Sequence, residues 1–221
     1  MKRNKLFLIS FLLISLVEIT SLLMGWQEMH FVAKPLLIPL LIGYYLSKSS
    51  NGSKLFVVAL LFCWAGDSLL LFQEWDQYFF LGGLVAFLIG HITYIIVYKR
   101  FQVAGQDGLL GPQKIRYSLP ILLTGTGLIT ILFPGLDSMA IPVILYSCVL
   151  MIMVLTALFR FGRTSSKSFW MVFAGAILFM LSDSLIAINK FYFSFADADV
   201  QIMITYILAQ YFIVEGITQH K

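Results

Sequence analysis

Apolar residues run along this chain in stretches too long for the elements of a water-soluble core, with short polar connectors between them. A helix that crosses a bilayer needs about 17 to 25 mostly apolar residues. Stretches of that kind recur near 6–25, 31–47, 55–73, 78–98, 116–133, 139–159, 168–189 and 200–218. The second is the shortest and carries Lys34, Pro35 and Pro39. In lipid, neighbouring helices satisfy the backbone groups that a proline frees, so the stretch still reads as a span. The pattern predicts an all-α membrane protein of eight transmembrane helices. It reads as one polytopic membrane domain, with halves of about 1–100 and 114–221 joined by a polar, glycine-rich connector from Phe101 to Gln113.

Composition narrows the solvent. Sixty per cent of the 221 residues are apolar and only 12% are charged, about half the charge of a soluble domain. So few charges cannot cover a water-facing surface, which excludes soluble, disordered and collagenous classes. Cys63 and Cys148 both lie inside apolar runs, where a thiol behaves as a small hydrophobe rather than as half of a disulfide.

Charge placement gives an orientation. The basic residues of the N-terminus, of the 48–54, 99–116 and 160–167 connectors, and Lys221 all fall on one side of an eight-span path. The opposite connectors hold Glu28, Glu74, Asp76, Asp137, Asp197 and Asp199, with Lys190 as the sole base. By the positive-inside rule the basic side is cytoplasmic, and both termini with it. The expected site is a cell membrane, a bacterial inner membrane in particular. The net charge of +4 follows from this topology and calls for no nucleic-acid partner. Met1-Lys2-Arg3-Asn4-Lys5 resembles the start of a secretory signal, but the apolar run behind it is too long and Ser21–Trp26 offers no small-x-small cleavage site. It reads as a retained first helix. Trp26, Trp75, Tyr78 and Tyr192 on one side, with Tyr98 and Trp170 on the other, form interfacial belts.

The candidate chemistry lies in acids placed where lipid disfavours them. Glu18, Asp67, Asp183 and Glu215 fall within spans, and a carboxylate there faces a cavity or a partner. Asp67 lies seven residues before Glu74 and Asp183 seven before Lys190. At 1.5 Å per residue both are expected about 10 Å below the outer ends of their helices. Glu18 reaches a similar level on the first span. Lys34 is expected about one helical turn shallower. Glu215, near the inner end, is expected to reach headgroups or water. Ala65-Gly66-Asp67-Ser68-Leu69-Leu70 is echoed by Leu181-Ser182-Asp183-Ser184-Leu185-Ile186. A parallel duplication of two four-helix halves would leave such an echo, although three identities in six also arise by chance.

Two aspartates at one depth can share a wet pocket, where desolvation and repulsion separate their proton affinities into an acid and a base. The competing reading pairs them with Lys34 or with serines to lock helices. His91 and Tyr94 share a face of the fourth span, deeper than the aspartates, and His91 is either a packing group or a pocket residue. Gln210 is polar at mid-depth in the last span, while Asn189 reads as a helix-end residue. Three histidines at three depths, His30, His91 and His220, do not make a zinc site. A nucleotide loop and a Gly-x-Ser-x-Gly elbow are both absent.

These residues resemble a known family. Lys34-Pro35 in the second span, Gly66-Asp67-Ser68 in the third, Phe87-x3-His91-x2-Tyr94 in the fourth, Ser182-Asp183 in the seventh and Tyr206-x3-Gln210 in the eighth are similar to the pattern of the YhhN-like lysoplasmalogenases. The resemblance implies a membrane hydrolase that cleaves the vinyl-ether bond of lysoplasmalogens, lysoplasmenylethanolamine or lysoplasmenylcholine, to a fatty aldehyde and a glycerophospho-base. It implies Asp67 and Asp183 as the catalytic pair and Lys34, His91, Tyr94 and Gln210 as pocket residues, with a lysophospholipid as substrate and no metal or cofactor. Lys34 would hold the lipid phosphate and Glu18 an amine headgroup. Trp64, at i−3 from Asp67, would desolvate that carboxyl if it faces the pocket, which favours Asp67 as the acid. The rival readings are a lipid or small-molecule transporter with proton-coupled carboxylates, an intramembrane aspartyl protease and a purely structural membrane protein. The protease motif Gly-x-Gly-Asp is replaced here by Trp64-Ala65-Gly66-Asp67.

Overall fold

The computed structural model describes residues 2–49 and 52–220; Met1 and Lys221, both assigned to the cytoplasmic side from sequence, lie outside the described residues. Each apolar stretch forms a helix: α1 Lys2–Met24, α2 Gln27–Lys48, α3 Lys54–Leu70, α4 Gln77–Arg100, α5 Gly111–Leu132, α6 Ala140–Leu158, α7 Ser166–Phe191 and α8 Ala198–Thr218. No strand occurs among the described residues. Among the described residues, seven of these eight helices are long and apolar enough to cross a membrane. This is an all-helical, multi-pass membrane protein.

The helix that falls short is α3, with 17 residues. Its apolar run continues to residue 73, but the backbone leaves the helix after Leu70 and passes through turns. The cause is local and aromatic. Phe72 packs at 4.9 Å against Trp75, at 5.6 Å against Phe79 and at 5.6 Å against Phe31 of α2. Those contacts draw the chain sideways into α4 instead of letting it rise another turn.

Residues Met1–Val97 and Tyr98–Lys221 form two compact units. In the first, Gly25 takes φ +69° with open space around it and turns α1 into α2, a conformation that costs glycine little. Ser53 starts α3 by accepting the Phe56 N–H at 3.4 Å, satisfying one of the unpaired donors of a first turn. In the second unit, α7 and α8 approach backbone to backbone. A Cβ on Gly175 would lie 2.9 Å from the Ala209 carbonyl, and one on Gly216 would lie 2.8 Å from the Val172 nitrogen. Only glycine permits that spacing, which membrane helices use to gain packing where lipid supplies no hydrophobic drive.

One end of the second unit is built around a buried cation. Arg160, grouped from sequence with the exposed cytoplasmic bases, is instead fully buried. The reason is the number of acceptors around it. Its Nε donates to the Phe101 carbonyl at 3.2 Å, and its terminal nitrogens donate to Ser168 Oγ at 2.8 Å and to the Ser168 carbonyl at 3.5 Å. Ser168 passes the contact on by donating to the Gly216 carbonyl at 2.7 Å. The guanidinium lies 5.9 Å over the Tyr98 ring. Burial pushes it down to about 10, while Tyr98 holds it up, so it remains a cation at neutral pH. Glu215, expected to reach water, is also buried, and accepts from Gln219 Nε2 at 2.8 Å. The helix that carries it is packed on α7 there, with Gly216 against Val172.

His220 closes this junction, with Nδ1 2.8 Å from Thr164 Oγ1 and its ring 5.2 Å from that of Phe101. Burial lowers its proton affinity from the ordinary 6.5, and Arg160 lowers it further. The folded state therefore disfavours imidazolium, so the stabilising effect is whole above pH 6.5 and declines as pH falls below it. The detergent-solubilised protein should lose thermal stability between pH 7 and pH 5, and His220→Gln should flatten that loss. Parallel pH curves for the two proteins would refute the assignment.

Candidate functional site

In the first unit, Asp67 sits on the buried face of α3 and is 3% exposed. Helix α4 closes on that face through small residues. A Cβ on Gly66 would sit 2.6 Å from the Phe87 ring, and one on Gly90 would lie 3.3 Å from Cys63 Sγ. Gly66 thus stands opposite Phe87, and Cys63 opposite Gly90. Phe87 stacks on His91 at 6.4 Å and 27°, and Cys63 Sγ lies 3.9 Å from the Tyr94 hydroxyl. The α3–α4 contact therefore carries Asp67, His91 and Tyr94 together. Five residues of α4 separate His91 from the level of Asp67, about 7.5 Å at the helical rise. His91 and Tyr94 are fully buried.

Helix α2 supplies the other wall. Phe31 meets Phe72, and Trp64 Nε1 donates to the Pro35 carbonyl at 2.9 Å. Those two contacts set the antiparallel register of α2 on α3 and put Lys34 close to the level of Asp67. The sequence alone had placed Lys34 about one turn shallower. The difference arises because α2 begins at Gln27, so Lys34 lies seven residues into the helix, about 10 Å along it. The depths of the aspartates also differ from expectation. Asp67 is three residues from the end of α3 and Asp183 eight from the end of α7, about 4.5 Å and 12 Å along their helices.

Trp64 is 38% exposed, and its N–H has a structural use. Pro39 has no N–H to give the carbonyl four residues earlier, and the acceptor it strands is that of Pro35. The indole fills the gap from the neighbouring helix. Sequence reasoning could have paired the two, since a proline inside a membrane helix announces an orphan carbonyl.

Glu18 on α1 is completely buried, and His30 Nδ1 of α2 donates to its Oε1 at 2.8 Å. His30 entered the sequence argument only as a rejected metal ligand. The available signal was its place in the hairpin: the acid lies seven residues before Gly25 and the histidine five after it, so the turn brings them together.

In the second unit, Asp183 on α7 accepts a hydrogen bond from the Tyr146 hydroxyl of α6 at 2.5 Å, a short, charge-assisted geometry. Tyr146 was missed from sequence, where it is one aromatic among the apolar residues of its span. Next to Asp183, Ser182 Oγ donates to the Ile202 carbonyl at 3.0 Å and ties α7 to α8. Gln210 is buried on α8 and donates through Nε2 to the Tyr206 hydroxyl at 3.2 Å. Tyr206 in turn meets Phe179 edge-on at 5.4 Å. Asn189 accepts the Phe195 N–H at 3.4 Å, the work of a helix-end residue. Among the described residues, no three His, Cys, Asp or Glu side chains gather as metal ligands would.

One buried or half-buried aspartate stands in each unit, each beside a tyrosine-bearing helix. The model of the YhhN family matches residues 29–217. The chain belongs to the YhhN family. The match takes in Lys34, Trp64, Asp67, His91, Tyr94, Asp183 and Gln210, and leaves out Glu18. Lysoplasmalogenases of Mycobacterium bovis and Mycobacterium tuberculosis are each 31% identical to it over 164 residues, covering 72% of this chain and 59% of theirs. The chain thus spans about three fifths of the length of the curated relatives it matches. No solved structure matches it.

The Trp64–Pro35 contact in this YhhN chain is testable as a cycle. Trp64→Phe leaves the Pro35 carbonyl unpaired within a helix that lipid surrounds and should cost about 1–3 kcal/mol of stability. In a Pro39→Ala background residue 39 regains its N–H, so the same substitution should cost less than half as much. Equal costs in the two backgrounds, measured by denaturant unfolding in mixed micelles, would show that the indole bond contributes nothing there.

Proposed function

We propose that this YhhN-family protein is a lysoplasmalogenase, hydrolysing the vinyl ether of a lysoplasmalogen with Asp67 as acid and Asp183 as base. The observation that carries the reading is the contrast between the two carboxyls. Asp67 is almost wholly buried, and Asp183 is partly exposed and accepts a hydrogen bond from Tyr146. Burial suits a carboxyl that donates a proton, and a hydroxyl donor suits one that works as an anion.

Vinyl ethers resist nucleophiles and yield to acid. Asp67 gives its proton to the outer alkene carbon, and the electron deficit moves to the ether carbon as an oxocarbenium ion. The Asp183 carboxylate stabilises that cation and takes a proton from the water that adds to it. In the hemiacetal, Asp183 returns its proton to the ether oxygen as the C–O bond breaks, and the hemiacetal hydroxyl proton returns to Asp67. One water is consumed; an aldehyde and a glycerol hydroxyl are formed. Lys34, level with Asp67, holds the lipid phosphate as a point charge, and His91, Tyr94 and Gln210 are assigned to substrate binding. We assign eight spans, both termini cytoplasmic and a bacterial inner-membrane location. The chain-turning segment after α3 completes its crossing.

The purified protein should release aldehyde from a lysoplasmalogen and none from the saturated ether lysolipid. Asp67→Asn and Asp183→Asn should each lower kcat by about 10²–10⁴-fold, the usual contribution of a positioned acid or base. Tyr146→Phe should lower it by about tenfold, with KM little changed, since one charge-assisted bond is worth about that factor. Full activity in either asparagine variant would rule out the two-carboxylate mechanism. Movement of lipid across a vesicle membrane without aldehyde would favour the transporter.

A further inference from the structure

The Glu18–His30 pair has the form of a carboxylate that aims an imidazole. Glu18 is fully buried on α1, and its Oε1 is bound to His30 Nδ1. Its Oε2 meets no partner among the described residues, so His30 is the one group there that answers this carboxylate. A carboxylate on one ring nitrogen fixes the ring's orientation and turns the other nitrogen the opposite way. With Nδ1 committed to the carboxylate, Nε2 is the nitrogen left to meet a ligand, and it donates when the ring carries both protons. His30 is 17% exposed, and Nε2 has no hydrogen-bond partner among the described residues.

The residue one turn further along the same face of α2 is Lys34. It is partly exposed, and among the described residues its ammonium forms no ion pair or hydrogen bond. Two side-chain nitrogens without a partner among the described residues thus stand at i and i+4 on one helix. An anion between them answers the Lys34 ammonium and favours a second proton on the His30 ring, turning Nε2 into a donor toward it. Lys34 is level with Asp67 and His30 is one turn further toward the start of α2. An anion held between them lies up to one helical turn, about 5.4 Å, from the level of the proposed acid.

We propose that His30, aimed by Glu18, joins Lys34 in a binding subsite for the phosphodiester of a lysophospholipid headgroup. The inference rests on the hydrolase reading for its ligand and deepens it. In a lysoplasmalogen the three glycerol carbons separate the phosphate from the vinyl-ether oxygen. A phosphate gripped near the start of α2 therefore leaves the reactive bond further in, toward Asp67. Glu18 is then a positioning residue for His30 rather than a contact for the amine of the headgroup.

His30→Asn tests this without abandoning Glu18, because the asparagine amide can reach the position of Nδ1 and nothing replaces Nε2. With lysoplasmenylethanolamine, His30→Asn should raise KM about tenfold with kcat within about twofold, the factor one charge-assisted bond supplies. Glu18→Gln and Lys34→Met should shift KM in the same direction. Binding of the saturated ether lysolipid should weaken about tenfold in His30→Asn, while binding of the matching alkylglycerol, which has no phosphate, should not change. Unchanged KM and unchanged lysolipid binding would overturn the subsite, and so would equal losses for both saturated ligands, which would mark a structural role. Inorganic phosphate that competes as well as the lysolipid would assign the site to a free anion and overturn the lipid assignment. Should wild type release no aldehyde yet prefer the phosphate-bearing ligand, and lose that preference in His30→Asn, the subsite stands and the hydrolase reading falls.

Discussion

Inside lipid no water is on hand to answer a stray polar group, and that requirement orders this molecule. Pro39 strands one carbonyl, and a tryptophan from the next helix is recruited to it. A single guanidinium serves the connector before α5 and the start of α7, and through Ser168 it reaches α8. Ser182 anchors to a carbonyl of α8. Each contact joins elements that apolar packing alone would leave free to slide, because side chains against lipid tails have no preferred register. In this fold hydrogen bonds set register, and glycines set separation.

The same requirement makes the remaining acids informative. Asp183 and Glu18 are each held by a donor from a neighbouring helix, Tyr146 and His30. A pure helix lock would need no more than that. The two arrangements differ in what they leave over. Tyr146 meets Asp183 while the aspartate stays partly exposed, so the carboxylate is steadied yet reachable. Glu18 is sealed, and it is the histidine that is reachable. The first geometry suits a base and the second an aimed imidazole, which is why the two acids are given different parts in the proposed reaction.

Much of the architecture was legible in the chain because bilayer thickness imposes a length on every apolar run, and each of the expected stretches forms a helix. What escaped was local. The end of α3 is set by the ring contacts of Phe72 with residues distant in sequence or across a turn, and hydropathy does not register them. The start of α2 at Gln27 lies in polar residues that no apolar window counts, and so the level of Lys34 was misjudged. Arg160 and Glu215 were read as surface charges because a charge beside a span end ordinarily is one; only the acceptors around them reverse that. Asp67, Asp183, His91 and Gln210 stood out because polar atoms in lipid are costly. Tyr146 and His30 did not, since a tyrosine passes as apolar and a histidine near a helix start passes as interfacial. Their partners, rather than their own positions, give them meaning.

Acid cleavage of a vinyl ether develops its charge on a carbon that has no hydrogen-bonding capacity, so the catalyst must already be aimed when the proton moves. The α3–α4 contact fits that demand. Gly66 and Gly90 bring α4 within van der Waals reach of the face that bears Asp67, and a close-packed pair of helices gives a side chain little freedom to reorient. A carboxyl on a mobile loop would hydrate, and a hydrated carboxyl is a poorer acid toward carbon. Anchoring the polar end of the lipid on α2 complements this. In the proposed reaction the binding energy of the phosphate, a part of the substrate that does not react, would be spent on holding the alkene where the fixed acid can reach it. The helix pair α2–α3, held in register by Trp64 and Phe31, therefore sets the distance between grip and proton. On the proposed mechanism, a lipid whose phosphate and vinyl ether lie at a different spacing would be penalised in kcat as well as in binding.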